Sequence, residues 1–291
     1  MTGFLLQLGG PLQSWGEHSA FTDRDTVAHP TRSGLIGMFA SALGIPRADA
    51  TVSPAAVPDA GDTPDFARLT RLRFTVRTDR PGVRLRDFHT VGGGYPQHRT
   101  VPTAKGARRS GDTATIVSRR HYLSDAVFTV AVTASQPDAP LLTACAEALA
   151  APRWPLHLGR RSCPPGALLL LRTGVLDPVA ELDRVPLARQ VPWASAEGAD
   201  EEATVLVRFT ADVPFPPGPG DAPSSRTSVT TLNDEPIRLT ARDRTYHARP
   251  SYTTSRRLPA DLCGGYGSEY LDALDAYLHA PRPGGNEGKA P

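Results

Sequence analysis

Apolar and polar positions along the 291-residue chain fall into short, well-bounded blocks. The first, GFLLQL at residues 3 to 8, is closed by Gly9, Gly10 and Pro11. A run so brief predicts a buried strand, because it is too short for a helix. In TRSGLIGMFASALGI the residues Leu35, Phe39 and Leu43 recur at i, i+4 and i+8 beside Ile36 and Ala40, the single apolar stripe of a helix. Gly44 and Pro46 end it, and Thr31 or Ser33 can cap its first turn. RLRFTVRTD (71 to 79) alternates strictly, with Leu72, Phe74 and Val76 on one face and Arg71, Arg73, Thr75 and Arg77 on the other. That pattern predicts a half-buried strand with a basic outer face. AVFTVAVTA (126 to 134) reads as a strand, APLLTACAEALAA (139 to 151) as an amphipathic helix and ALLLLR (167 to 172) as a buried segment.

Residues 46 to 65 are rich in Ala, Pro and Asp and read as a variable connection. The order strand, helix, strand, long excursion, strand, helix fits an α+β unit of the ferredoxin-like or RRM-like kind, two helices covering one face of an antiparallel sheet. From about Pro178 the texture changes to Pro/Gly-punctuated short blocks around one good strand, TVLVRFTAD, and a late helix over SEYLDALDAYLHA (268 to 280) with Tyr270, Leu271, Leu274 and Leu278 on one side. The expected organisation is therefore a first domain over 1–177, a smaller irregular β-rich domain over 178–280, and a disordered tail over 281–291.

Composition narrows the class. The hydrophobic fraction of 40% is that of a folding globular chain, and no run of 18 or more apolar residues is present, which points to a cytoplasmic protein without a membrane span. Cys145, Cys163 and Cys263 lack metal-ligand or redox spacing and read as idle thiols. Net charge is only +2, but its distribution is uneven. Lys105 and Lys289 are the only lysines, an arginine bias that a GC-rich genome would also produce, and between Arg84 and His121 eight Lys or Arg residues face two acids.

The segment DFHTVGGGYPQHRTVPTAKGARRSGDTATIVSRRHYL (87 to 123) is too long for a simple connection. Its ends are β-prone and its middle is Gly- and Arg-rich, so it reads as an extended hairpin arm with a basic tip, or as a flexible loop with no partner. Arginines that neutralise phosphates, interleaved with rings that stack on bases, suit single-stranded nucleic acid. HLGRRSCPPG supplies a second pair, Arg160 and Arg161. In the opening loop, Gln13, Ser14, Trp15 and Gly16 follow directly on a strand and would line the sheet's end, while Arg24, Arg32 and Ser33 precede a helix whose first-turn N–H groups favour anions. Trp15 has an equal claim as a core plug. His121 and Tyr122, beside Arg119 and Arg120, offer a general base and a positioning group for 2′-OH attack, although no established catalytic spacing surrounds them.

LGGPLQSWGEHSAFTDRDTVAHPTRSGLIGMFASALGI closely resembles the N-terminal signature of the CasD family, the CRISPR-associated subunit that caps the 5′ end of the guide RNA in type I-E Cascade. RDFHTV, VPTAKGARR, VSRRHYLSDAVFTVAV and PLHLGRRSCPP follow in the family's order, so the resemblance covers about residues 3 to 172. GGGYPQH, at the base of the arm, departs from the family pattern. The resemblance implies an RRM-like domain of the RAMP superfamily, with the 87–123 arm as a β-hairpin thumb. It further implies a non-catalytic subunit that binds the 5′ handle of the crRNA, next to a repeated CasC backbone subunit and the large CasA subunit, and meets target DNA only through the complex. Carried over by position, Gln13, Ser14, Trp15, Gly16, Arg24, Arg32 and Ser33 would form the handle site, Lys105, Arg108 and Arg109 the thumb contacts, with Arg119, Arg160 and Arg161 at matching motifs. No catalytic residue, metal or cofactor is implied. A metal-independent endoribonuclease acting through His121 or Tyr122, and a purely structural contact module, are the competing readings.

Overall fold

A computed structural model of the chain describes residues 2–17, 22–52, 64–103, 105–166, 168–192, 203–216, 227–240 and 243–280. Strand β1 (Gly3–Gly9) pairs antiparallel on one side with β7 (Val127–Thr133) and on the other with β8 (Leu170–Val175). On the far side of β7 comes β4 (Arg73–Arg80), then β9 (Thr204–Ala211), β11 (Arg244–Pro259) and the edge strand β10 (Ser228–Leu239). The seven strands form one antiparallel sheet in the order β10-β11-β9-β4-β7-β1-β8.

Alternation sends Phe4, Leu6 and Leu8 of β1, Phe128, Val130 and Val132 of β7, and Phe74 and Val76 of β4 to one face. Helices α1 (Arg32–Leu43) and α3 (Ala139–Ala150) cover that face, with Phe39 of α1 edge-on to Phe4 and stacked on Phe74, each at 6.0 Å. Helix α1 stops at Gly44, which takes the left-handed conformation (φ 74°) and donates its N–H to the carbonyls of Ala40 and Ser41. The opposite face carries Leu5, Ala131, Val207 and Phe209 and is covered by chain from the carboxy-terminal third: Leu182, Val185 and Leu187, after the short α4 (Pro178–Glu181), and Tyr270 and Leu274 of α5 (Gly267–His279).

The structure differs from expectation at four points. The expected outer face of β4 is exposed only at its start, at Arg71 and Arg73; Thr75 is buried and Arg77 is 0% exposed, because the 182–187 stretch lies over it and supplies carbonyls to its guanidinium. The segment 178–280 is not paired apart from the first, since β9 hydrogen-bonds directly to β4 and one ladder crosses the expected boundary. It also holds two long strands, β10 and β11, besides the one anticipated. In α5, Leu271 is 51% exposed while Tyr270 and Leu274 are buried, a narrower apolar stripe than expected. The tail 281–291 and residues 53–63 of the variable connection lie outside the described residues.

A second, smaller sheet stands beside the first. Its spine is β6 (Ile116–Ser124), flanked by the two-residue β2 (Leu12–Gln13), by β3 (Asp23–Arg24) in parallel, and by β5 (Val83–Val91) in a nine-pair antiparallel ladder from Val83 opposite Ser124 to Val91 opposite Ile116. The ladder begins at Val83, ahead of the expected arm at Asp87. α2 (Phe66–Leu69) leads into β4 and is capped by the Asp65 carboxylate, which accepts from Arg68 N at 2.7 Å.

Candidate nucleic-acid interface

The opening loop folds inward. Trp15 is 0% exposed; its indole Nε1 donates to Gln13 Oε1 at 2.9 Å and its backbone N to Thr26 Oγ1 at 2.8 Å. Gln13 Nε2 in turn donates to the carbonyls of Leu8 (2.9 Å) and Ala126 (2.8 Å), tying the loop across the ends of β1 and β7. Ser14 Oγ donates to the carbonyl of His121 at 2.9 Å. A Cβ on Gly34 would lie 2.9 Å from the Trp15 ring, so the glycine makes room for the indole. The side chains of Gln13, Ser14 and Trp15 therefore do not line a surface: Gln13 and Ser14 satisfy backbone carbonyls, and Trp15, bonded to Gln13, is a core plug. Of the four, only Gly16 is exposed.

The anion site expected at the start of α1 is filled from within. Asp234 of β10, fully buried, accepts from Arg32 N at 2.7 Å, taking the place a phosphate would occupy at the helix N-terminus. Arg32 is itself buried. Its guanidinium donates to Asp212 Oδ2 (2.6 Å), Glu235 Oε2 (2.5 Å) and the carbonyls of Leu72 (2.7 Å) and Thr70 (2.5 Å). Ser33 is half-buried beside it. Arg32 thus leaves the list of phosphate contacts.

The remaining arginines gather on the small sheet. In the β3–β6 pairing Asp23 lies beside Arg119 and Arg24 beside Arg120. Arg160 clamps this corner, donating to the carbonyls of His121 (3.0 Å), Arg24 (2.9 Å) and Asp25 (3.1 Å), with its guanidinium 4.9 Å over the Tyr122 ring. Partial burial first, then the charges of Arg120, Arg160 and Arg244, hold Arg24 below the usual arginine pKa. Several guanidiniums thus share one neighbourhood. Arg161, next to the clamp, is exposed, as is Arg119.

The β5–β6 ribbon extends the basic surface. Directly opposed residues of an antiparallel pair share a face, which puts Arg84, Arg86, Phe88 and Thr90 of β5 with Leu123, His121, Arg119 and Val117 of β6. Phe88, opposite Arg119, is 69% exposed, and among the described residues β5 pairs only with β6. The ribbon's far end carries Lys105, exposed, Arg108, whose Nη1 donates to the Thr100 carbonyl at 2.6 Å, and Arg109, whose Nη1 reaches the Thr113 carbonyl at 3.4 Å. Arg84, Arg86 and Arg120 counted toward the basic excess but not among the candidate site residues, and Phe88 and Arg244 were not singled out from sequence. For Arg84, Arg86 and Phe88 the signal was present in their alternation along one strand; for Arg244 there was none.

The two residues considered for catalysis are adjacent on β6 and so point to opposite faces. Tyr122 is 4% exposed under Arg160, with its hydroxyl 3.4 Å from Ser162 Oγ, and His121 Nε2 faces Asp23 Oδ1 at 3.3 Å. The Cys145 thiol, pushed up to about 12 by burial, is inert.

A mixed α+β fold with a basic, aromatic-bearing ribbon has the surface chemistry of a nucleic-acid interface, and comparison with known proteins gives the family. A family model described as CRISPR-associated protein (Cas_Cas5) matches residues 3–252. The chain belongs to this Cas5 family. It is 35% identical over 178 residues to the CRISPR system Cascade subunit CasD of Escherichia coli strain K12, covering 58% of this chain and 70% of that protein. Among solved structures, a chain of a CRISPR RNA-guided surveillance complex superposes with a TM-score of 0.75 at 45% identity, covering 96% of this chain and 100% of the other. A crystal structure of a Cas protein gives 0.51 at 26% identity, covering 91% and 98%.

Proposed function

We propose that the chain is a non-catalytic, crRNA-binding subunit of a cytoplasmic Cascade-type complex, holding the 5′ handle of the guide beside a CasC-type backbone subunit and a CasA-type large subunit. Target DNA is met only through the assembled complex. The observation that carries the RNA-binding reading is the convergence of exposed arginines and the exposed Phe88 ring on the β5–β6 ribbon and its β3 corner. Guanidiniums neutralise phosphates while an aromatic face stacks a base, the pairing of contacts that single-stranded RNA needs. The strand order β4-β7-β1-β8, with α1 following β1 and α3 following β7, supports the ferredoxin-like, RRM-like reading of the first part of the chain. The β5–β6 ladder with its 92–115 excursion supports the thumb. Within the handle site, Arg24, Arg119, Arg160 and Arg161 are the core, Lys105, Arg108 and Arg109 act from the far end, and Gly16 offers only backbone.

Fluorescence anisotropy with labelled handle RNA over a salt series tests this. The slope of log K against log salt is expected near −0.7 for each phosphate neutralised, and Arg119→Glu plus Arg161→Glu should reduce both affinity and slope. A flat salt response, or unchanged binding by the double variant, contradicts the assignment.

A further inference from the structure

The outer edge of β10 is closed along only part of its length. At the end nearest β11's start, a short extended piece of the chain lies against it: Val52 N donates to the Ile237 carbonyl and Leu239 N to the Ala50 carbonyl, both at 2.8 Å, with Thr51 bridged antiparallel to Arg238. In the middle, Glu17 Oε1 accepts from Asn233 N at 2.9 Å, and Pro236 has no N–H to offer. At the start of the strand, Ser228, Val229, Thr230 and Thr231 are all exposed, Val229 at 58%. Among the described residues their backbone pairs only on the inner side, with Thr253, Tyr252, Ser251 and Pro250 of β11.

Sheet edges are normally blunted by charge, by bulges or by shortness, because an open edge templates another strand. The other outermost strands carry such devices. β8, at the far edge of the same sheet, meets β1 through two register shifts and bears Arg172. β5, at the edge of the small sheet, bears Arg84, Arg86 and Asp87. Residues 228–231 have none of these: they are uncharged, and Val229, Thr230 and Thr231 are β-branched, the residue type that suits a strand. The edge is also held firmly. Arg249 of β11 donates to Asp234 Oδ1 at 2.7 Å and pairs with Asp212 Oδ1 at 3.0 Å, while Arg32 of α1 holds Asp212 Oδ2 and Glu235. Two arginines and three carboxylates thus fix the hairpin to the first helix, so the strand is presented already ordered.

An uncharged edge gives phosphates nothing to pair with. What it offers is a row of backbone donors and acceptors, which match those of an extended polypeptide, and residues 50–52 already cover the other end of this edge in that way. We propose that residues 228–231 are a docking edge, onto which a partner subunit of the complex lays an extended, uncharged segment as a further strand of the large sheet. Every second residue of an antiparallel edge turns both its N–H and its C=O outward, so the stretch can make about four such bonds, with the Val229 side chain beside them. The inference rests on the reading of the chain as a subunit of a larger complex and is independent of the RNA site. A second copy of this chain is the competing occupant.

Hydrogen–deuterium exchange of the 291-residue chain, alone at low concentration and in the assembled complex, tests the proposal. Amides within 228–232 are expected to exchange about 10-fold more slowly in the complex, together with those of one extended stretch of a partner subunit. Val229→Lys with Thr231→Lys puts charge on the edge at exposed positions; it should remove that protection and weaken the chain's association with the complex about 10-fold. Leu271→Lys, on the exposed side of α5, should change neither. The double variant should melt and bind labelled handle RNA as wild type does, so a wild-type chain that fails to bind RNA strikes the RNA reading and leaves this one standing. Unchanged exchange at 228–232 on assembly overturns the proposal. So does protection that grows with the concentration of the chain alone, which assigns the edge to a second copy, or protection already present in the dilute chain, which assigns it to the chain itself. A wild-type chain that enters no complex removes the reading beneath it.

Discussion

Arg77 keeps its charge in the interior because every donor it has meets an acceptor. Nε and Nη2 take the Asp79 carboxylate at 2.7 and 3.1 Å, and Nη1 and Nη2 take the carbonyls of Leu182, Val185 (2.7 Å) and Pro186 (3.0 Å). Thr129 Oγ1 donates to the second Asp79 oxygen at 2.7 Å. Such a group stitches the 182–186 stretch to β4 and is unforgiving of partial removal, since loss of one partner leaves a bare charge in a low-dielectric site. Arg77→Met alone should cost about 3–5 kcal/mol in a denaturant melt, whereas Arg77→Met with Asp79→Leu should cost far less. Equal losses for the two variants would show that the charge pair is not what matters. The same residue type performs the exposed task at Arg119 and Arg161. Sequence cannot separate the two, because the partners that bury Arg32 and Arg77 lie far along the chain, as Asp212 and Val185 do. Trp15 shows the same limit: whether a lone indole faces ligand or core was decided by Gln13, Thr26 and Gly34, which no periodicity connects to it.

Elements with a clean period were legible and those without were not. β1, β4, β7, β9, α1, α3 and α5 lie where the apolar spacing put them, because each has one face or stripe to bury. β10 and β11 lack that signal. Their sequences carry Pro236 and Pro250 and few apolar residues, and two register shifts interrupt their ladder. Pro236 is tolerated because β10 is an edge strand, and Pro250 because β11 is flanked by β9 only from Tyr252 onward. The turn carrying Arg160 is specified more narrowly. Gly159 has φ 87°, and a Cβ there would stand 1.8 Å from the Ser14 carbonyl oxygen. Gly159→Ala should therefore push the turn off the opening loop and break the bond from Ser14 N to the Leu158 carbonyl. The expected loss is more than about 2 kcal/mol, with faster hydrogen exchange at Ser14; protection equal to wild type would show that the turn is not held by this contact.

Across the whole molecule, one seven-stranded sheet joins what composition divides. Its two faces are covered by different parts of the chain, α1 and α3 on one, the carboxy-terminal third on the other. The small sheet at its side is left to carry charge, and the excess of arginine over acid between Arg84 and His121 appears there as a surface. A net charge of +2 conceals this, because the acids are spent inside on Arg32, Arg77 and Arg249. The general location of the site was thus readable from charge distribution, while its composition depended on which arginines the fold consumed. The most direct measurement is ultraviolet crosslinking of thiouridine-labelled guide RNA in the assembled complex, with the adducts mapped by mass spectrometry. The account predicts adducts on β5, β6 and the Arg160–Arg161 turn from handle nucleotides. Handle adducts confined to other subunits, or on this chain only to α3 and α5, would contradict it.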